Sequence, residues 1–308
     1  MRTLAITGAS GFLGRYLISE CITQGHFKLR LLTRNRDAFA HLKSDKITIC
    51  EGDLLDLDTL ADFISLESTL VHLAYINNKK KDNIEAVSNL LTIVKQKRVK
   101  RFIHCSTAVV VGFKARGVIT EETKPAPRGE YQKTKYQIEK MLRSELFPNI
   151  ELAILRPTEI IGLSGQGLNS MINRLQYGNP YKNFIYHSLL KSRRFNYVSI
   201  YNVVAAILLL ASTPIAQNSE VYNISDDDDP DNNYESVERI ISSHLNCKKG
   251  HQLDFGIPKW LLSFLFRLIP NISPSDRIYS HFKICGIGYR KKIKLNSAIS
   301  EIVLQRKR

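Results

Sequence analysis

Tyr131 and Lys135 stand four residues apart in Glu130-Tyr131-Gln132-Lys133-Thr134-Lys135. On a helix, residues i and i+4 share a face, so this phenol and this ammonium would point the same way. A nearby cation favours the phenolate and draws a tyrosine pKa down from about 10, which suits proton exchange with a carbonyl or a secondary alcohol. The same spacing recurs at Tyr136 and Lys140. Five residues along a helix is a rotation of roughly 140°, so the two pairs cannot serve one site. Spacing alone leaves both registers open.

The elements that must position such a pair begin at the N-terminus. Leu4 to Ile6 is an apolar run suited to a buried parallel strand, and glycines follow at 8, 11 and 14. Glycines so placed let the chain turn sharply, let backbone approach a pyrophosphate, and let the next helix pack closely on the sheet. That helix is expected from about Phe12 to Gln24, closed by Gly25. Its unpaired N–H groups and partial positive charge suit a diphosphate.

The stretch Thr7-Gly8-Ala9-Ser10-Gly11-Phe12-Leu13-Gly14 resembles the nucleotide-binding turn of the extended short-chain dehydrogenase/reductase family, which holds nucleotide-sugar epimerases, dehydratases and reductases. The resemblance implies that Gly8, Ser10, Gly11, Phe12, Leu13 and Gly14 lie against the cofactor. Further segments agree in order. Gly52-Asp53-Leu54-Leu55-Asp56 resembles the family's Gly-Asp-Leu-x-Asp step, which would set Asp53 and Leu54 beside the adenine, while Asp56 and Asp58 cap the following helix. Val71-His72-Leu73-Ala74 resembles a segment whose backbone, here Leu73 and Ala74, meets the cofactor; His72 reads as a buried structural residue. Thr107 falls where the family carries the hydroxyl that binds the reacting oxygen, with Ser106 in support. Tyr131, Thr134, Lys135 and Glu139 match the Tyr-x-x-[Ser/Thr]-Lys motif and its trailing glutamate, which selects the Tyr131 register. Lys135 would also hold the nicotinamide ribose.

Departures from the family narrow the chemistry. The 4,6-dehydratases carry Asp-Glu after the threonine, and this chain has Ala108 and Val109, so elimination loses its acid/base pair. The second strand ends Thr33-Arg34-Asn35-Arg36 with no acidic residue for the adenosine ribose. Arg34 would welcome a 2′-phosphate, so NADP(H) is expected over NAD(H). After Arg156, Pro157 and Thr158 are expected beside the nicotinamide, followed by Glu159 where an Asn often contacts the sugar nucleotide. Arg194 could grip a diphosphate, Asn202 stands where Asp is usual, and Asp226 to Asp229 reads as a solvated turn, not a metal site.

Composition bounds the rest. The chain has 308 residues, 44% of them hydrophobic, enough for a full core. Its net charge is +15, but the basic residues are scattered without a recognition motif, so an anionic small substrate is expected and nucleic acid is not. Five cysteines without a Cys-x-x-Cys pair suit free thiols in a cytoplasmic setting, and no leader or membrane span is expected. The apolar run Pro258 to Ile269 reads as a helix over the substrate cleft or a peripheral membrane contact. The expected fold is α/β, a Rossmann-type doubly wound parallel sheet over 1–161, with 162–308 mostly a smaller substrate-binding cap and segments near 195–210 and 220–225 returning to the main domain. The family resemblance implies a homodimer through the helices beside the site. The expected activity is reduction of a 4-keto group on a nucleotide-activated sugar. The alternatives are a 4-epimerase retaining NAD, a lipid- or steroid-type alcohol dehydrogenase, and a non-catalytic NADP-binding regulator.

Overall fold

The computed structural model describes residues 1–307 except 113–114, 147, 192, 216–218 and 246–275. Cys247 and the expected helix from Pro258 to Ile269 lie outside the described residues. Eleven strands are described: β1 (Arg2–Thr7), β2 (Phe27–Thr33), β3 (Ile47–Glu51), β4 (Thr69–His72), β5 (Arg101–Cys105), β6 (Val118–Ile119), β7 (Glu151–Pro157), β8 (Glu159–Ile161), β9 (Tyr197–Ser199), β10 (Ser219–Ile224) and β11 (Ile278–Tyr279). Seven form one parallel sheet in the order β10-β7-β5-β4-β1-β2-β3. From β1 the chain winds outward to β3, then returns to β4 on the other side. The reversal opens a crevice at the carboxyl ends of β1 and β4, where such sheets bind ligands.

Helices cover both faces, which is why the strands are near-continuous apolar runs. On one face lie α1 (Phe12–Gln24) and α7 (Ile200–Ser212). The α7 sequence is apolar nearly all round, as a helix buried on every side must be. Val203, Val204 and Ile207 join Leu17, Ile18 and Cys21 of α1 in one cluster with β1 and β2. On the other face lie α2 (Leu57–Phe63), α3 (Lys80–Gln96) and α4 (Glu130–Leu146), with Phe63, Leu90, Ile138 and Leu142 packed on Leu70, Phe102 and Ile154. A separate apolar cluster joins α5 (Gln166–Tyr177), α6 (Pro180–Leu190), α8 (Tyr234–Leu245) and the C-terminal helix Leu295–Arg306.

The acidic run differs from the expectation of a solvated turn. Asp226 and Asp227 are buried, at 0% and 3% exposure. Asp226 accepts from Ser199 N and Asn202 Nδ2, and Asp227 from Tyr279 N, Asn196 Nδ2 and Asn232 Nδ2. Their donors come from segments far apart in sequence, so the pair knots β9, α7 and β11 together. Asn202 also bonds the tail through Lys292 N, Ile293 N and Ile293 O. The four described cysteines are free, and no described helix is long and apolar enough to cross a membrane.

Candidate active site

The glycine turn closes on itself through Gly11 N donating to Gly8 O at 3.0 Å. Gly8 sits at φ +70°, and a Cβ there would fall 2.6 Å from Ala74 N; one on Gly14 would fall 2.4 Å from Gly8 O. Only glycine satisfies both approaches, which bring the Leu73-Ala74 backbone against the turn. Helix α1 starts at Gly11 with no side-chain cap, leaving first-turn amides for an anion. These features fit a dinucleotide diphosphate. Ser10 is exposed, and Phe12 and Leu13 are half-buried beside it.

At the end of β2, the Thr33 hydroxyl donates to Asn35 O, and Asn35 Oδ1 accepts from Asp37 N. Arg34 projects from this fixed turn, exposed and without an ion-pair partner among the described residues. Asp53 Oδ1 accepts from Leu55 N, holding the loop after β3, while Leu54 O accepts from Asn89 Nδ2. Asp56 caps α2 by accepting from Asp58 N. Thus Gly8, Arg34, Asp53 and Ala74 all lie at the carboxyl ends of adjacent strands.

Next along that edge, Thr107 follows β5 and caps a short turn over Ala108–Val111. Helix α4 brings its own residues to it. Its buried stripe runs through Lys135, Ile138, Glu139 and Leu142, so a polar stretch of the helix faces inward. Tyr131 is 44% exposed, and its phenol lies near the Thr107 hydroxyl. Desolvation, with the Cys105 thiol and Tyr75 adding to it, pushes this phenol up to about 12, and Thr107 works the other way. Lys135 is 3% exposed; its ammonium donates to Cys105 O at 2.9 Å and lies 4.8 Å from the Tyr75 ring centre. Burial lowers its pKa, against Cys105 and Glu139. The phenol is thus raised where the sequence predicts depression, and the ammonium is held by the Cys105 carbonyl and the Tyr75 face. By contrast, Lys140 lies over the Tyr136 ring at 5.3 Å, and Lys140 is exposed.

Other positions are committed elsewhere. Ser106 Oγ donates to Glu139 Oε1, and Glu139 pairs with buried Arg156. Pro157 and Thr158 are buried, with Thr158 N donating to Ile224 O. Glu159 is exposed, its Oε1 lying where a Cβ on Gly167 would fall; burial of its carboxyl raises the pKa, and Arg193 opposes this. Arg194 donates to Asp227 O at 3.2 Å. His72 is buried, hydrogen-bonded to the Thr7 hydroxyl and stacked on His104. Sequence reasoning missed Tyr75, which touches both Tyr131 and Lys135. The one signal was its place directly after Leu73-Ala74.

Comparison with known proteins places this geometry. The model of the NAD dependent epimerase/dehydratase family matches residues 4–225. Over 172 residues the chain is 26% identical to 4-hydroxy-2-methyl-3-oxo-4-farnesyl-3,4-dihydroquinoline-1-oxide ketoreductase of Stigmatella aurantiaca, covering 53% of this chain and 51% of that protein. The chain spans about half the length of the first curated relatives it matches. Among solved structures, UDP-glucose 4-epimerase of Thermotoga maritima with UDP-glucose superposes with a TM-score of 0.74 at 18% identity, covering 100% of this chain and 99% of that one. The dTDP-glucose 4,6-dehydratase of Bacillus anthracis with NAD gives 0.73 at 15% identity, covering 100% and 97%.

Proposed function

Because the chain belongs to the NAD dependent epimerase/dehydratase family, we propose that it is an NAD(P)-dependent oxidoreductase that reduces a ketone, with a 4-keto group on a nucleotide-activated sugar as the first substrate class. The observation that carries this reading is the convergence of Thr107, Tyr131 and Lys135 at the carboxyl edge of the sheet, with the Tyr131 phenol near Thr107 and the Lys135 ammonium on Cys105 O. Ala108 and Val109, in the turn that Thr107 caps, cannot ionise and so offer no acid/base pair for elimination.

In this reading the α1 amides and Gly8 hold the cofactor diphosphate, Asp53 and Leu54 flank its adenine, and Leu73, Ala74, Pro157 and Thr158 border its nicotinamide end. When bound, the nicotinamide supplies or accepts hydride. Thr107 holds the substrate oxygen. Tyr131 gives that oxygen its proton in reduction and takes one in oxidation. Lys135, whose ammonium donates to Cys105 O, would hold the nicotinamide ribose, and its charge would favour the Tyr131 phenolate. Exposed Arg34 favours a 2′-phosphate, so we propose NADP(H) over NAD(H). We also propose a homodimer through α3 and α4, to be checked by light scattering.

A second reading is an apolar ketone. It is favoured by Glu159 standing where the family often has an Asn that contacts the sugar nucleotide, and by the isoprenoid ketone named for the Stigmatella relative. Titration with NADPH and NADH, followed by turnover assays on 4-keto sugar nucleotides and on hydrophobic ketones, tests both readings. Tyr131→Phe should keep cofactor binding and lose turnover. Tightly retained NAD would favour a 4-epimerase, and binding unaccompanied by any turnover would favour a regulator.

A further inference from the structure

One ring touches two residues of the α4 motif. Tyr75 follows β4 by three residues and is half-buried. It meets Tyr131 edge-on, with ring centres 5.0 Å apart and planes at 86°. Its face carries the Lys135 ammonium at 4.8 Å, and its hydroxyl lies near that of Thr134. Thr134 is fully buried and donates to Glu130 O at 2.9 Å, so its hydroxyl oxygen is fixed in place. Behind Tyr75, Leu73 N donates to Thr7 O, and Asn83 brackets Ile76 through bonds to its N and O at 2.9 and 2.7 Å. The loop that bears the ring is therefore anchored on both sides.

We infer that Tyr75 is a positioning residue for the proposed reaction, stabilising Lys135 as an ammonium by presenting its ring face to the cation while its ring also packs edge-on against Tyr131. This rests on the proposed oxidoreductase reading. A cation over an aromatic face is held most strongly where water is excluded. Among the described residues Lys135 has one hydrogen bond, to Cys105 O, and the ring supplies a further stabilising contact for a buried charge. Other groups bear on the same ammonium. From β5 come His104, neutral in its buried place, and Cys105; from β4 comes His72, also neutral; from α4 comes Glu139. Glu139 is already paired with Arg156. Tyr75 is the group whose ring touches both the ammonium and the phenol ring.

The test compares Tyr75→Phe with Tyr75→Leu. Titration of Lys135 by NMR of 15Nζ-labelled lysine, assigned with Lys135→Met, needs neither cofactor nor substrate. The leucine variant should release the Lys135 proton with an ionisation constant raised about threefold or more, and the phenylalanine variant, which keeps the ring face, should stay near wild type. In the oxidation direction, the limb of kcat/KM that rises with pH should move to higher pH in the leucine variant and return in the phenylalanine one. A purely structural role would lower activity and leave both titrations in place. Unchanged Lys135 titration in Tyr75→Leu would overturn the inference even with full turnover in wild type. Absence of turnover in wild type, with a Lys135 shift in the leucine variant, would overturn the reaction and keep the pairing.

Discussion

Glu139 holds Arg156 with both carboxylate oxygens, at 2.6 and 3.0 Å, inside the protein where the two side chains are 2% and 3% exposed. The same carboxylate accepts from Ser106, the residue before Thr107. The proposed substrate-binding hydroxyl is therefore aligned by an ion pair beneath it. Glu139→Gln keeps the shape and leaves a buried guanidinium uncompensated. A loss of about 3–5 kcal/mol is expected in urea unfolding, together with reduced turnover.

Acid should weaken the fold through its histidines. Burial lowers His72 from 6.5 to about 3, and His104 well below 6.5, with neither ring nitrogen of His104 bonded. The folded chain excludes protons that the unfolded chain binds. The contribution is complete above about pH 6.5 and is lost as pH falls toward 3, at up to ~1.4 kcal/mol per pH unit for each histidine. Urea midpoints measured from about pH 7 to pH 4.5 check this. His104→Leu should flatten the slope and leave stability near neutral pH equal or higher.

Asn202 faces Asp226 in the interior, donating to both carboxylate oxygens at 3.0 Å. Asn202→Asp would remove the donor and set two buried carboxylates against each other. Destabilisation of about 3 kcal/mol at neutral pH is expected, shrinking in acid as one carboxyl takes a proton. Thermal melts at two pH values distinguish this from simple loss of packing, which would not change with pH.

Gly14→Ala tests the turn. Its new methyl would meet Gly8 O and Ala9 O, at 2.4 and 2.5 Å. Backbone there has to shift, at a cost of about 1–3 kcal/mol, and cofactor affinity measured by calorimetry should fall sharply.

Arg34→Ala tests the proposed cofactor preference. Loss of a charge-assisted bond to a 2′-phosphate should weaken NADPH by about tenfold to a hundredfold and leave NADH unchanged. Equal effects on both would remove the basis for preferring NADP(H).

Much of the sheet was legible because β1, β4, β5 and β7 are apolar runs buried on both faces, and periodicity reports burial directly. The glycine turn and the Tyr131 to Lys135 pair were legible because each is set by a few residues of local sequence. Tyr75 was not, since its partners lie on α4, more than fifty residues onward, and nothing around a loop aromatic announces them. Asp226 and Asp227 misled for a related reason: a charge run reads as solvated unless its donors are known, and Asn196, Asn202, Asn232 and Tyr279 N are dispersed. The two-stranded pairs β6 with β11 and β8 with β9 are too short to show a period.

The packing of α7 on α1 sets an order of events during synthesis. Leu17 and Ile18 emerge early, yet their cover includes Val203, Val204 and Ile207. The Arg2 guanidinium, present in the first strand, likewise awaits the carbonyls of Ala211 and Ser212. A nascent chain ending near residue 161 would carry an apolar flank on α1 that nothing later in the chain has yet arrived to cover. Such a flank is what holding chaperones bind. The N-terminal half can therefore be completed only after roughly the first two-thirds of the chain has been made.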